Sequence, residues 1–141
     1  MKGEREVHVN TTRILAVAAL IVASASAPHV ARAQAPGITR TDLQRHDLSV
    51  PGGGVIQVCV EFTPGVVAPK HSHPGEEIII VVEGVLGSAL EGRPPVTLKA
   101  GDVLFIPAGT PYAVTNVGRG HATELATYVA ETRKPLIVLV E

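Results

Sequence analysis

The side chains best suited to chemistry lie between Gly65 and Gly84, in the run Gly65-Val66-Val67-Ala68-Pro69-Lys70-His71-Ser72-His73-Pro74-Gly75-Glu76-Glu77. Alternate side chains of an extended strand share a face, so His71 and His73 point the same way, with Cα atoms about 7 Å apart. Glu77 has the same parity, and Pro74-Gly75 lets the chain bend it back toward the two imidazoles. Two neutral imidazoles and a carboxylate converging on one point make a site for a single borderline divalent ion: iron, manganese, zinc, nickel or copper. Glu76 has the opposite parity and faces away as a solvated carboxylate.

A second stretch, Gly101-Asp102-Val103-Leu104-Phe105-Ile106-Pro107-Ala108-Gly109-Thr110-Pro111-Tyr112-Ala113-Val114-Thr115-Asn116, reads as a short apolar strand, a Pro/Gly turn and another strand. The two stretches resemble the two sequence motifs of the cupin superfamily, in particular its small, single-domain, quercetin-dioxygenase-like members. Gly65, His71, His73, Glu77 and Gly84 match the first motif, and Gly101, Pro107, Gly109 and Asn116 match the second. The resemblance spans about Leu48 to Tyr128. It implies an all-β fold, a double-stranded β-helix or jelly-roll barrel in one domain, with one divalent transition metal held by His71, His73 and Glu77. The chain departs from the family where a His usually supplies the fourth ligand, because that position is Tyr112. Three readings of Tyr112 stay open: a true ligand, a hydrogen-bond donor to metal-bound water or substrate, or the mark of a weakened site. A phenol with an ordinary pKa near 10 binds as phenolate only to a strongly polarising ion, ferric iron above all. Without Tyr112 the set is two His and one carboxylate with open positions, the type found in non-haem Fe(II) oxygenases. Glu77 and Tyr112 are the candidate catalytic side chains.

The elements that must position these residues are legible from the turns. Pro51-Gly52-Gly53-Gly54 precedes Val55–Phe62, Pro64-Gly65 precedes Val66–Ala68, and Glu77–Val82 ends at Glu83-Gly84. Gly87–Leu90, Val96–Leu98, Val103–Ile106, Tyr112–Asn116, Ala122–Val129 and Leu136–Val140 follow between further Gly and Pro turns. Short β-branched runs punctuated this often indicate a sandwich or barrel. Parity places Ile79 and Val81 inward with Glu77, and Tyr112, Val114 and Asn116 on one face of a later strand, with Leu104, Phe105 and Ile106 beside them. The expected site is a few polar groups at the bottom of an aliphatic pocket suited to a small oxygenated molecule.

The ends bear on location. Lys2, Arg5 and Arg13 precede the apolar run Ile14–Ala23, and small residues lead to Ala31-Arg32-Ala33. This is the pattern of a secretory signal peptide over residues 1–33, so the expectation is a secreted or periplasmic protein with no stable membrane anchor after cleavage. Residues 34–47 are polar and read as an N-terminal arm, with the cupin domain over 48–141. The formal net charge of −1 comes with no basic stripe, which excludes nucleic acid as an expected partner. The single cysteine, Cys59, has no intramolecular disulfide partner and reads as a small packed or half-exposed thiol. His46 and His121 read as surface residues.

Three functions fit these residues: a metal-dependent oxygenase acting on a small oxygenated molecule, a module that binds a small ligand or metal without turnover, and a metal-dependent lyase or isomerase. The apolar C-terminal run Leu136–Val140 further predicts a homodimer, with a partner subunit covering that strand.

Overall fold

The computed structural model describes residues 35–141. The signal-peptide reading of residues 1–33 lies outside them. Ten strands and no helix form the described chain: β1 (Ile38–Asp47), β2 (Gly53–Phe62), β3 (Val67–Ser72), β4 (Glu76–Glu83), β5 (Val85–Leu90), β6 (Val96–Lys99), β7 (Val103–Ile106), β8 (Tyr112–Asn116), β9 (Ala122–Glu131) and β10 (Val138–Leu139). They make two antiparallel sheets, β1-β2-β9-β4-β7 and β10-β3-β8-β5-β6. This is the jelly-roll barrel that the sequence implied.

The core forms where the inward faces meet. Ile56, Val58, Val60 and Phe62 alternate inward along β2, and Glu77, Ile79 and Val81 do so along β4, as parity required. Tyr112, Val114 and Asn116 of β8 are buried opposite them. Phe105 differs: β7 turns Ile106 inward, so Phe105 lies half-exposed on the outer face.

Residues 38–47 correct the arm reading. They form β1, paired with β2 from Ile38↔Phe62 to Asp47↔Gly54. β1 is an edge strand whose side chains beyond Ile38 are mostly exposed, so a polar sequence suits it, and its backbone pairing is joined by a side-chain hydrogen bond from Gln44 to Gln57 of β2. The C-terminal strand is shorter than the expected run Leu136–Val140. Only Val138 and Leu139 pair, with Ser72 and His71 of β3, and both side chains are exposed in the single chain. Among the described residues no helix is long and apolar enough to cross a membrane.

Two local irregularities aim the site. The β3–β8 register shifts between Ala68 and His71, a bulge that lets both residues face inward although three positions separate them. Beyond β3 the chain turns at Pro74-Gly75 and passes against β9 so closely that a Cβ on Gly75 would lie 2.0 Å from the Val129 carbonyl oxygen and 2.6 Å from Ala130 Cα. Only glycine permits that approach. Gly75→Ala should therefore cost about 1–3 kcal/mol of stability, read from urea-unfolding midpoints. Gly120→Ala, which meets nothing within 4 Å, should stay within about 0.5 kcal/mol of the parent.

Candidate metal centre

His71, His73, Glu77 and Tyr112 lie close to one another inside the barrel. Their rings and carboxylate arrive from three different segments: β3 and the loop after it, the start of β4, and the start of β8. The His71 and His73 rings lie edge to face with centroids 5.0 Å apart, and the Tyr112 ring lies 4.5 Å from that of His71. All four are buried; His71 is the most exposed, at 7%.

Backbone carbonyls set the tautomers of both imidazoles. The Nδ1–H of His71 donates to the Pro69 carbonyl oxygen at 2.7 Å, and the Nδ1–H of His73 donates to the Leu136 carbonyl oxygen at 2.5 Å. Each ring therefore turns an Nε2 lone pair away from those carbonyls. Burial pushes the His71 pKa down, which keeps that imidazole neutral, the form that binds metals. The loop carrying His73 is tied to the second motif, since Gly109, in a left-handed conformation with φ of 71°, donates its N–H to the His73 carbonyl at 2.7 Å.

Glu77 is 0% exposed. Its Oε2 accepts a hydrogen bond from the Tyr112 hydroxyl and lies 3.3 Å from His73 Nε2, while Oε1 is buried with no partner. The Tyr112 oxygen is also 3.2 Å from His73 Nε2. Tyr112 has one proton, and its donation to Glu77 turns oxygen lone pairs toward His73. Burial, followed by the neighbouring Glu77 charge, raises the Tyr112 pKa well above its ordinary value, so the side chain stays a phenol. Among the described residues no group of three or more His, Cys, Asp or Glu side chains is drawn together tightly enough to enclose an ion; the phenol stands in the gap. The donor set nevertheless suits a borderline cation: two neutral imidazole nitrogens and an unpartnered carboxylate oxygen in a site shielded from water.

Three groups beneath this cluster were missed by the sequence reading. Arg40, placed in the supposed arm, donates from its guanidinium to the Tyr128 hydroxyl at 2.7 Å, with its centre 5.9 Å from that ring. Tyr128 in turn lies 4.7 Å from the His73 ring, centroid to centroid. Glu124 is buried with Oε2 unpartnered, and burial together with the Glu77 charge raises its pKa from 4.5 to about 8. The alternation Ala122-x-Glu124-x-Ala126-x-Tyr128 was the available signal, since it puts both residues on the inward face of β9. The surface expectations hold: Glu76, His46 and His121 are exposed, and Cys59 is a half-buried free thiol.

The chain belongs to the cupin superfamily: the cupin domain family matches residues 58–128. The dimethylsulfoniopropionate lyase DddQ of Ruegeria pomeroyi is 40% identical over 60 residues, covering 43% of this chain and 30% of that protein. A germin-like protein of Morus alba is 37% identical over 78 residues, covering 52% of this chain and 37% of its own. This chain thus spans about a third of the length of these curated relatives. A solved structure of oxalate oxidase in complex with the substrate analogue glycolate superposes with a TM-score of 0.60 at 28% identity, covering 74% of this chain and 55% of that one.

Glu124 makes stability depend on pH. Its carboxyl stays protonated in the fold to about pH 8, whereas the unfolded chain ionises near 4.5. The folded state therefore holds the extra proton across that window, and stability falls as pH rises through it. The parent protein should melt at a lower temperature at about pH 8.5 than at about pH 5, and Glu124→Gln should flatten that difference. Thermal unfolding followed by circular dichroism at both pH values checks it.

Proposed function

We propose that this is an exported cupin that holds one divalent transition metal through His71 Nε2, His73 Nε2 and Glu77, and that it is an enzyme acting on a small oxygenated organic molecule. The observation that carries the reading is the pair of Nδ1–H···carbonyl bonds to Pro69 and Leu136, which leaves two Nε2 lone pairs beside a buried carboxylate with a partnerless oxygen. Natural sites orient metal-binding imidazoles through such outer partners. The export part rests on the charged, apolar and Ala-x-Ala pattern of residues 1–33.

The bound metal would polarise an oxygen substituent of the substrate and orient it. The chain's own residues supply the remaining chemistry. Glu77 fixes the hydroxyl proton of Tyr112, and Tyr112, retained as a phenol, can turn that proton toward an oxygen atom entering the site. This makes Tyr112 a hydrogen-bond donor rather than a phenolate ligand. Arg40 and Tyr128 brace the floor on the His73 side. The tight enclosure of the cluster excludes water and limits the substrate to a small molecule.

Oxygenase chemistry is the leading reading, on the two-His-one-carboxylate set. A lyase is the second, favoured by the 40% identity to a dimethylsulfoniopropionate lyase across the segment that matches. Metal analysis of the purified protein should find about one equivalent of a transition metal, and His71→Ala should remove most of it, because two remaining protein ligands hold a divalent ion poorly. A metal-free parent protein that takes up no added iron, manganese, zinc, nickel or copper would end the proposal. Oxygen uptake with small phenols and diketones would mark an oxygenase, and turnover of an oxygenated substrate without oxygen would mark a lyase. Tyr112→Phe should keep the metal while lowering turnover by about 10²–10⁴-fold, as expected when a positioned proton donor is lost.

A further inference from the structure

The chain after β9 crosses from one sheet to the other and touches the candidate metal centre on the way. Thr132 donates its N–H to the Gly52 carbonyl at 3.1 Å, and Lys134 closes a turn on the Glu131 carbonyl at 3.2 Å. Leu136 then packs, partly buried, against the core, with its carbonyl oxygen 2.5 Å from His73 Nδ1. Val138 and Leu139 pair with Ser72 and His71, and Val140 donates its N–H to the Lys70 carbonyl at 3.1 Å. Residues 132–140 thus form a strap that contacts the segments bearing both histidines. The strap is lightly held. β10 is two residues long at a sheet edge and its side chains are exposed. A crevice of about 60 Å³, lined by Arg45, Ile56, Lys134 and Leu136 among others, lies between the strap and strands β1 and β2. Few buried apolar contacts and an exposed edge pairing mark a segment that opens locally, at a lower free energy than global unfolding.

A neutral imidazole carries one N–H and one lone pair, and the partner of one nitrogen decides the state of the other. With the strap seated, the Leu136 carbonyl accepts the N–H of Nδ1 and leaves a lone pair on Nε2. That lone pair sits 3.3 Å from Glu77 Oε2 and 3.2 Å from the Tyr112 oxygen. The other tautomer also has an acceptor, since an Nε2–H would donate to Glu77 Oε2. Such a bond would occupy the ring nitrogen and the carboxylate oxygen together. We propose that the strap is the positioning element that selects between these two tautomers and so opens or closes the site to a cation. Seated, it presents Nε2 as a lone pair. Lifted, it takes the acceptor away from Nδ1; the ring then gives that proton to water, takes one on Nε2 and donates it to Glu77, with no change in charge. The consequence for metal binding rests on the metal site proposed above. Only the seated form offers Nε2 to a cation, so metal binding and strap docking favour each other reciprocally.

Val140→Pro removes the N–H that bonds to Lys70, whereas Val140→Ala keeps it. In isotope-labelled, metal-free protein the ring-nitrogen chemical shifts of His73 report which nitrogen carries the proton. The parent and Val140→Ala should show Nδ1–H, and Val140→Pro should move the ring toward Nε2–H. Circular dichroism melts check that the variants are folded. A folded Val140→Pro protein that keeps the parent's tautomer would overturn the inference. A second measurement needs no variant and uses Zn²⁺ as the probe. Hydrogen exchange at the Val140 amide should slow at least about tenfold on Zn²⁺ binding, while the Val117 amide, bonded to the Val85 carbonyl, stays unchanged. Zn²⁺ should also bind Val140→Pro about ten- to a hundredfold more weakly, as when a group that orients a metal-binding imidazole is lost. Zn²⁺ bound without protection of Val140, or bound equally well by Val140→Pro, would overturn the inference too. A parent that takes up no transition ion ends the metal reading alone, and the tautomers of the metal-free proteins still decide the role of the strap.

Discussion

A carboxylate with no access to water governs the interior of this barrel. Burying the Glu77 charge costs several kcal/mol unless neighbours compensate it, and the direct compensation is one hydrogen bond from Tyr112 to one of its two oxygens. Its field reaches further. Burial first and the Glu77 charge second hold protons on Tyr112, Tyr128 and Glu124, with the Arg40 guanidinium opposing them at Tyr128 and Glu124. A cation beside Oε1 completes such an arrangement electrostatically, and this is why the metal reading rests on Glu77 as much as on the imidazoles.

The scaffold around that charge is largely backbone. Carbonyls of Pro69 and Leu136 orient the two imidazoles, and the Gly109 amide holds the loop from which His73 projects. The Pro69 contact is local to β3, two residues from His71, whereas Leu136 and Gly109 reach His73 from distant parts of the chain, so the His73 ring depends on the closed barrel. The Tyr112 phenol gives the cluster a definite chemical character. It supplies a proton that its hydrogen bond to Glu77 fixes in place. A site of that kind combines charge stabilisation with proton donation within one hydrogen-bonded group.

Strand β4 ties the chemistry to the surface. Its inward residues supply Glu77 and part of the core, and its outward Ile78 and Ile80 pair with Phe105 and Val103 of β7. The sequence signature is the uninterrupted run Ile78-Ile79-Ile80-Val81-Val82, which has no polar alternation. In the folded chain one side of that run is core and the other is exposed.

Local spacing determined the His71, His73 and Glu77 ligand candidates, the strand order along the chain and the shared faces of β4 and β8, because alternation in an extended chain is a property of neighbouring residues alone. It marked His71, His73 and Glu77 as one group, and the resemblance to the cupin motifs added Tyr112, without showing how the four meet. Tertiary structure decided the rest. It converted the polar segment Ile38–Asp47 into an edge strand, since backbone pairing leaves no side-chain pattern to read, and so delivered Arg40 to Tyr128 across 88 positions of sequence. It placed Phe105 outside rather than beside the site, and it left the C-terminal run as a two-residue, exposed pairing on β3. It also set Tyr112 between His73 and Glu77, a contact that depends on β3, β4 and β8 closing around one another. Which side chains share a face is written in adjacent residues, but which faces meet is settled only when the sheets pack.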